Sequence, residues 1–301
     1  MMPPVFRFAP SPNGPLHLGH ARSALLNARA ARRSRGRLLL RHEDIDTIRC
    51  TPALIEGVER DLARLGLAFE RPARRQSEHF PAYRAALGRL VDEGLVYPSF
   101  LSRGEIRAHV RAMEEERGTL WRADPDGTPL APTFERAMPA ARREMLIAAG
   151  IAHVWRLDMD KAIERAGPLS IRSAATPEGQ GVALVPARPQ DWGDVVLARR
   201  ETPTSYHLSV VVDDASQGVS HVVRGADLEA ATSVHRLLQA LLGLPDPVYH
   251  HHALLLGPDG RKLSKSTGAA ALSRLFESGL DARAVAALAG VGPEPGEAPF
   301  P

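Results

Sequence analysis

Two short stretches of this chain carry residue types suited to phosphate chemistry. Pro15-Leu16-His17-Leu18-Gly19-His20 stands where a first strand hands over to a first helix. A helix N-terminus offers unpaired N–H groups and a partial positive charge, which makes it an anion site. Histidines at i and i+3 add two donors on one side of it. Gly19 leaves room for a flat group such as a base to lie against the backbone. The same four residues equally describe two polar caps on an ordinary helix. Far along the chain, Gly260-Arg261-Lys262-Leu263-Ser264-Lys265-Ser266 is a glycine-led basic loop. Its lysines suit phosphate as mobile point charges, although such a loop alone also fits a solvated surface. Taken together, a double-histidine helix start and a lysine loop can flank one triphosphate.

A third group lies at the ends of expected strands. Arg7 sits near the end of the first strand, Glu43 follows the second, Tyr206 opens another and Arg224 ends a fourth. In an open α/β sheet, ligands bind at the carboxyl ends of the strands. Two arginines and a tyrosine suit a carboxylate, with arginine supplying a bidentate fork. Glu43 and the Ser11 hydroxyl suit an ammonium group. Arg224 equally fits an ion pair at a sheet edge with Asp213, Asp214 or Asp227.

These residues need a parallel sheet to bring them together. Val5–Ala9 reads as a strand, residues 10–15 as a turn rich in proline, and the alanine-, leucine- and arginine-rich run from His20 as a helix. Gly36 ends that helix and Arg37–Arg41 forms the next strand, completing a βαβ unit. Helices are expected over Thr51–Gly66 and Ala82–Gly94. Residues 1–96 thus form the first half of a nucleotide-binding catalytic domain, and 97–189 an inserted α+β subdomain with a charged helix at Arg103–Arg117. Residues 190–247 return to the catalytic domain, with strands at Ser205–Asp213 and His221–Arg224 and a helix over Asp227–Leu242. Residues 248–301 hold a strand at Ala253–Leu256, the lysine loop and two short helices. The expected fold is α/β, Rossmann-like.

Composition narrows the function classes. Of 301 residues 44% are hydrophobic, and a net charge of +3 permits a polyanionic partner without requiring one. One cysteine, Cys50, rules out an internal disulfide and any cysteine-cluster zinc site. No stretch reaches 18 apolar residues and the N-terminus lacks a signal-peptide pattern, so no membrane span and a cytoplasmic location are expected. His250-His251-His252 alternate across an extended segment and do not make a metal site. Asp44 and Asp46 fit local caps or ion pairs. Arg32–Arg35, Arg71–Arg75 and Arg103–Arg122 are candidate RNA contacts, though each also reads as a solvated face.

The blocks Phe8–His20 and Lys262–Ser266 resemble the two signature motifs of class I aminoacyl-tRNA synthetases. Arg7 with Ala9-Pro10-Ser11, Arg41-His-Glu43-Asp-Ile-Asp46 and Val223-Arg224-Gly-Ala-Asp-Leu228 are similar to the glutamyl branch. Only 35 residues follow Ser266, too few for a separate anticodon-reading domain, and this truncated form resembles the glutamyl-Q tRNA(Asp) synthetases. The resemblance implies activation of L-glutamate by ATP with Mg²⁺ and transfer to queuosine at the wobble position of tRNA(Asp). It implies that Arg7, Ala9, Ser11, Glu43, Tyr206 and Arg224 bind glutamate. His17, Gly19, His20 and Lys265 would bind ATP, with His17, His20, Lys262 and Lys265 catalytic. A monomer is expected. The alternatives are a minimal glutamyl-tRNA synthetase charging the terminal ribose of tRNA(Glu), and a non-catalytic adenylate- or RNA-binding paralogue. Members of the family often hold zinc in the insertion. The matching positions here are Ser99, Leu101, Ala131 and Glu135, which do not make a zinc site, so no zinc is expected.

Overall fold

The computed structural model describes residues 2–257 and 270–292. The expected βαβ start is present as β1 (Val5–Phe8), α1 (Leu18–Arg33) and β2 (Arg37–His42). After it come α2 (Pro52–Arg64), β3 (Glu70–Arg75), α3 (Phe80–Asp92) and β4 (Val96–Ser99). Next are α4 (Arg103–Arg117), α5 (Ala140–Ala148), β5 (Val154–Leu157), α6 (Met159–Ala166), β6 (Ser170–Ser173), β7 (Ala183–Pro186) and β8 (Val196–Arg199). The remainder is α7 (Tyr206–Ser216), β9 (His221–Gly225), α8 (Thr232–Leu242), β10 (Val248–His252), α9 (Leu272–Glu277) and α10 (Ala282–Leu288).

Among the described residues, seven strands form the main sheet in the order β3-β2-β1-β9-β10-β6-β7. All its pairs are parallel except β6 with β7. The chain leaves β1 for β2 on one side, while β9 lies on the other. The crevice between the carboxyl ends of β1 and β9 is therefore the switch point at which such sheets bind ligands. A second, antiparallel sheet has the order β4-β5-β8. Strand pairing crosses the expected 97–189 boundary, since β6 and β7 join the main sheet and β8 completes the small one. No helix of the described residues is long and apolar enough to cross a membrane.

α1 shows why the first helix forms where it does. Its buried face is Ala21, Ala24, Leu25, Ala30 and Ala31, small side chains of high helix propensity that let the backbone lie close to the sheet. One apolar core joins α1 and α2 to α9 and α10. A second, larger one lies beneath the small sheet, among α3, α6, α7 and α8.

Two expected strands are corrected. Ser205–Asp213 is not a strand: Tyr206–Ser216 is the helix α7. It is buried around nearly its whole circumference, at Leu208, Ser209, Val210, Val211, Asp213 and Asp214. A helix enclosed on all sides shows no amphipathic period, so its valine run imitates a buried strand. The last parallel strand is likewise Val248–His252 rather than Ala253–Leu256.

α7 carries the polar centre of the molecule. Asp214 accepts from Arg7 Nε at 3.2 Å and Arg41 Nη1 at 2.7 Å. Asp213 accepts from Arg74 Nε, Gln76 Nε2 and the Tyr83 hydroxyl, each at 2.8 Å. Both carboxylates and Arg41 are buried. Truncating one member strands the charges of the others, which costs about 3–5 kcal/mol in such clusters. Asp213→Ala is expected to lose stability on that scale in urea titration, and Asp46→Ala, an exposed i,i+3 pair with Arg49, less than about 1 kcal/mol.

Candidate active site

The two readings of His17 and His20 merge into one geometry. His17 is the N-cap of α1, and its Nδ1 accepts from Gly19 N–H at 3.1 Å. His20 Nδ1 accepts from His17 N–H at 3.2 Å, closing a reciprocal capping box. A backbone N–H can only donate, so both Nδ1 atoms are acceptors and each neutral ring carries its proton on Nε2. The caps thus fix two imidazole N–H donors at the positive end of a helix. Gly19 also leaves room for the His17 ring: a Cβ there would lie 3.0 Å from His17 Cε1 and 3.1 Å from Nδ1, so the ring would have to shift by a few tenths of an ångström.

These histidines wall a cavity of about 300 Å³ at the switch point. It is also lined by Arg7, Ala9, Ser11, Gly19, Glu43, Tyr206 and Arg224. Nine of the eleven expected site residues therefore share one cavity. Lys262 and Lys265 lie outside the described residues. The segments flanking 258–269 do border the site: Leu254 and Leu255 line the cavity. Ala271 forms an isolated bridge with His17, and Leu272 N–H donates to Leu16 O at 2.8 Å.

Arg7 and Arg224 are held in opposite ways. Arg7 is tied through Nε to Asp214. Burial alone would raise the Asp214 carboxyl, but Arg7 and Arg41 outweigh it and hold it below the usual carboxylate range. Arg224 is buried and bonded to neutral groups instead. Its Nη1 donates to the Tyr206 hydroxyl at 3.1 Å and His235 Nδ1 at 3.2 Å. Its Nη2 donates to Thr232 Oγ1 at 2.7 Å and Leu228 O at 3.1 Å. The expected alternative, an ion pair with Asp213, Asp214 or Asp227, is not formed. A buried guanidinium without a carboxylate partner leaves a net positive charge facing the cavity, the condition for taking an anion. Across the cavity, Glu43 accepts from Arg41 Nη2 at 3.2 Å, and its N–H donates to Pro10 O at 2.9 Å, which seats it beside Ser11. Burial pushes the Glu43 carboxyl up against the opposing pull of Arg41 and Arg7. An ammonium beside it would favour the ionised form.

Sequence inspection missed the shell that orients Arg224. Register places His251 opposite Arg224 in the β9–β10 pair, and α8 supplies His235. Because Arg224 donates to His235 Nδ1, the His235 proton sits on Nε2 and is given to His207 Nδ1 at 3.3 Å. This requires neutral rings. Burial, and then the Arg224 charge, pushes His207 down to about 4 and His251 to about 3. The cue in sequence was a set of histidines near an arginine that closes a strand. Of the other singled-out residues, Asp44 accepts from Arg75 and Ser77 on a different element, and Asp46 from the nearby Arg49 N–H. His250 meets Ala174 O and His252 meets Ala253 O.

In the insertion, Ser99 Oγ donates to Glu135 Oε2 at 2.5 Å and Phe100 N–H donates to Oε1 at 2.9 Å. Both oxygens of the one carboxylate are taken, and Leu101 and Ala131 offer no side-chain ligand. These residues do not fit zinc.

Comparison with known proteins places this arrangement. The family model described as tRNA synthetases class I (E and Q), catalytic domain, matches residues 5–291. The chain belongs to that family. It is 44% identical over 282 residues to a glutamyl-Q tRNA(Asp) synthetase of Rhodobacter capsulatus, covering 91% of this chain and 95% of the relative. It is 37% identical over 291 residues to a glutamate–tRNA ligase 2 of Methylobacterium, covering 96% of this chain and 60% of that protein. Among solved structures, the glutamate–tRNA ligase of Elizabethkingia meningosepticum in complex with its amino acid superposes with TM-score 0.70 at 27% identity, covering 88% of this chain and 52% of the ligase. The chain spans about half the length of that solved ligase. Family membership makes it a ligase whose substrates are an amino acid, ATP and tRNA.

The neutral histidine shell has a consequence for acid stability. Between pH 6.5 and about 4 the unfolded chain binds a proton that folded His207 refuses. Stability therefore falls as pH drops through that window and gains nothing above it. His207→Gln is expected to shallow the fall, by on the order of 2 kcal/mol at pH 4, in urea titrations compared at pH 7 and pH 4.

Proposed function

We propose that this chain activates L-glutamate with ATP and transfers the glutamyl group to queuosine at the wobble position of tRNA(Asp). The observation that carries the amino-acid choice is buried Arg224, held by neutral partners across one cavity from Arg7. A γ-carboxylate between the two guanidiniums satisfies both. Glu43 and Ser11 take the α-ammonium, with Ala9 and Tyr206 as walls. The acceptor choice is supported by the relative named for it, whose length this chain covers almost entirely.

In the first step an oxygen of the glutamate α-carboxylate attacks the α-phosphorus of ATP. The bond to the bridging oxygen breaks, and pyrophosphate leaves with the Mg²⁺ that accompanies ATP. The protein's part is positioning and charge stabilisation. His17 and His20 donate Nε2–H to phosphate oxygens, stabilised by the helix terminus they cap. Lys262 and Lys265, by resemblance, neutralise the departing phosphates. In the second step a hydroxyl of the queuosine nucleoside attacks the activated carbonyl, AMP leaves, and the hydroxyl proton passes to solvent or to AMP.

The acceptor is tested with ATP, Mg²⁺, labelled glutamate and purified tRNAs. Label is expected on queuosine-containing tRNA(Asp), and none on queuosine-free tRNA(Asp). Label on tRNA(Glu) instead would make the chain a minimal charging synthetase. Pyrophosphate exchange without any label on tRNA would refute transfer. Arg224→Gln should raise the KM for glutamate about 10–100-fold in ATP–pyrophosphate exchange, the loss of one charge-assisted contact. The KM for ATP should change less than about threefold. Equal effects on both would refute the assignment of Arg224 to the carboxylate.

A further inference from the structure

The basic stretches of the chain differ in how their charge is spent. In β3, Arg74 and Arg75 are bonded to Asp213 and Asp44, and Arg71 to Glu59. At the end of α1, Arg33 pairs with Glu178. Arg103 and Arg107 are different. They stand one turn apart on α4 and line a cavity of about 670 Å³ between α4 and β8. Arg199, at the end of β8, lines it too. None of the three side chains has a hydrogen bond or ion pair among the described residues. Burial, and then the charge of Arg103, pushes the Arg199 guanidinium down against the opposing pull of Glu201, so the two cations sense each other.

Two acidic groups line the same wall. Asp194 accepts from the Tyr97 hydroxyl at 2.6 Å and from Arg136 at 2.5 and 2.7 Å. Asp124 accepts from the N–H groups of Asp126 and Thr128 within its own turn. Three arginines gathered in one concavity, with Asp194 paired to Arg136 and none of the three in an ion pair with Asp124 or Glu201, repel one another and attract an anion. The cavity has an aromatic corner, where Trp192 and His207 meet edge to face with ring centroids 5.5 Å apart. It shares Tyr206 with the candidate active site, so it opens beside the place where the glutamyl carbonyl is activated.

We propose that this groove between α4 and β8 holds a single-stranded loop of tRNA. Arg103, Arg107 and Arg199 bind consecutive phosphates there, and an extruded base packs on the Trp192–His207 corner next to Tyr206. Single-stranded RNA is recognised in this manner, by phosphate contacts and splayed bases on aromatic faces. The inference rests on the reading that the chain transfers glutamate to a tRNA, and it names the surface that presents the acceptor. His207 fits the role: with its Nδ1 accepting from His235, its remaining donor is Nε2–H.

The test combines binding and transfer. Arg103→Glu/Arg107→Glu/Arg199→Glu is compared with the Arg84→Glu/Arg89→Glu control on the exposed side of α3, and with the three single Gln variants. Anisotropy with queuosine-containing tRNA(Asp), repeated across salt concentrations, gives the Kd and its salt slope. Loss of three phosphate contacts should weaken binding at least 100-fold and flatten the slope of log Kd against log salt by about 2. Each Gln variant should flatten it by about 0.7. Single-turnover transfer should fall with binding. ATP–pyrophosphate exchange, which needs no RNA, should stay within about twofold and shows that the variants are folded. Unchanged Kd and salt slope in the reversed variant would overturn the groove while leaving the proposed function standing. If the wild-type chain instead labels tRNA(Glu), the proposed function fails, and the same series on tRNA(Glu) still decides the groove.

Discussion

The buried carboxylate pair Asp213–Asp214 is the constraint on which the rest depends. Two adjacent residues on a helix point about 100° apart, so neighbouring acids at the sheet surface reach different elements. Asp214 ties α7 to β1 and β2 through Arg7 and Arg41, and Asp213 ties it to β3 and α3 through Arg74 and Tyr83. Neither acid tolerates burial alone, and neither do the guanidiniums. Burial works against the charge on Arg41, yet Asp214, Glu43 and Asp213 together raise its affinity for its proton. Asp214 and Arg41 thus each hold the other in its charged form. The cluster therefore fixes the register of α7 against the sheet, and with it the position of Tyr206 one helix length away.

That fixed register also divides the labour of the two arginines facing the cavity. Arg7 belongs to the charge cluster, and its position is set by an acid. Arg224 is positioned by groups without charge, and its partners can orient it only while they stay neutral. Protonated imidazoles at His235 and His251 would lose the lone pairs that accept from it and add repulsion. Burial suppresses that protonation, so the same enclosure that makes the site costly to desolvate keeps Arg224 available to an incoming carboxylate. A carboxylate partner for Arg224 within the chain would instead occupy the fork that an incoming carboxylate needs.

Much of this was legible in the sequence, and what was not has a common cause. The histidine-capped helix, the strand-end arginines and the Glu43–Ser11 pair are set by local pattern and by topology, and all meet at the switch point. α7 was misread because enclosure on all sides erases the helical period, and its valines favour either structure. The partners of Asp213 and Asp214 were missed because they lie over 100 residues away in sequence at Arg74, Tyr83 and Arg7. Strand β10 was displaced towards Ala253–Leu256 because three histidines look polar. In the parallel strand β10 they continue the sheet, with His251 opposite Arg224 and His252 lining the cavity.

Basic residues show the same logic at the level of composition. Of 38 lysines and arginines only three are lysine, Lys161, Lys262 and Lys265. Two of the three, Lys262 and Lys265, fall three positions apart in one short stretch, in a chain that otherwise uses arginine for surface, core and sheet edge alike. Arginine suits the roles seen in the structure: the planar fork binds Glu70 through two nitrogens from Arg37, and divides Arg41 among Asp214, Gln217 and Glu43. A rigid fork is the wrong tool for charge that must follow a phosphate as it leaves. A compact ammonium on a flexible stem keeps contact while the phosphate moves, because its donors have no fixed plane. Lysine at these two positions, where nearly every other cation is arginine, suits the proposed work on a departing phosphate, whereas the arginines suit a stationary anion.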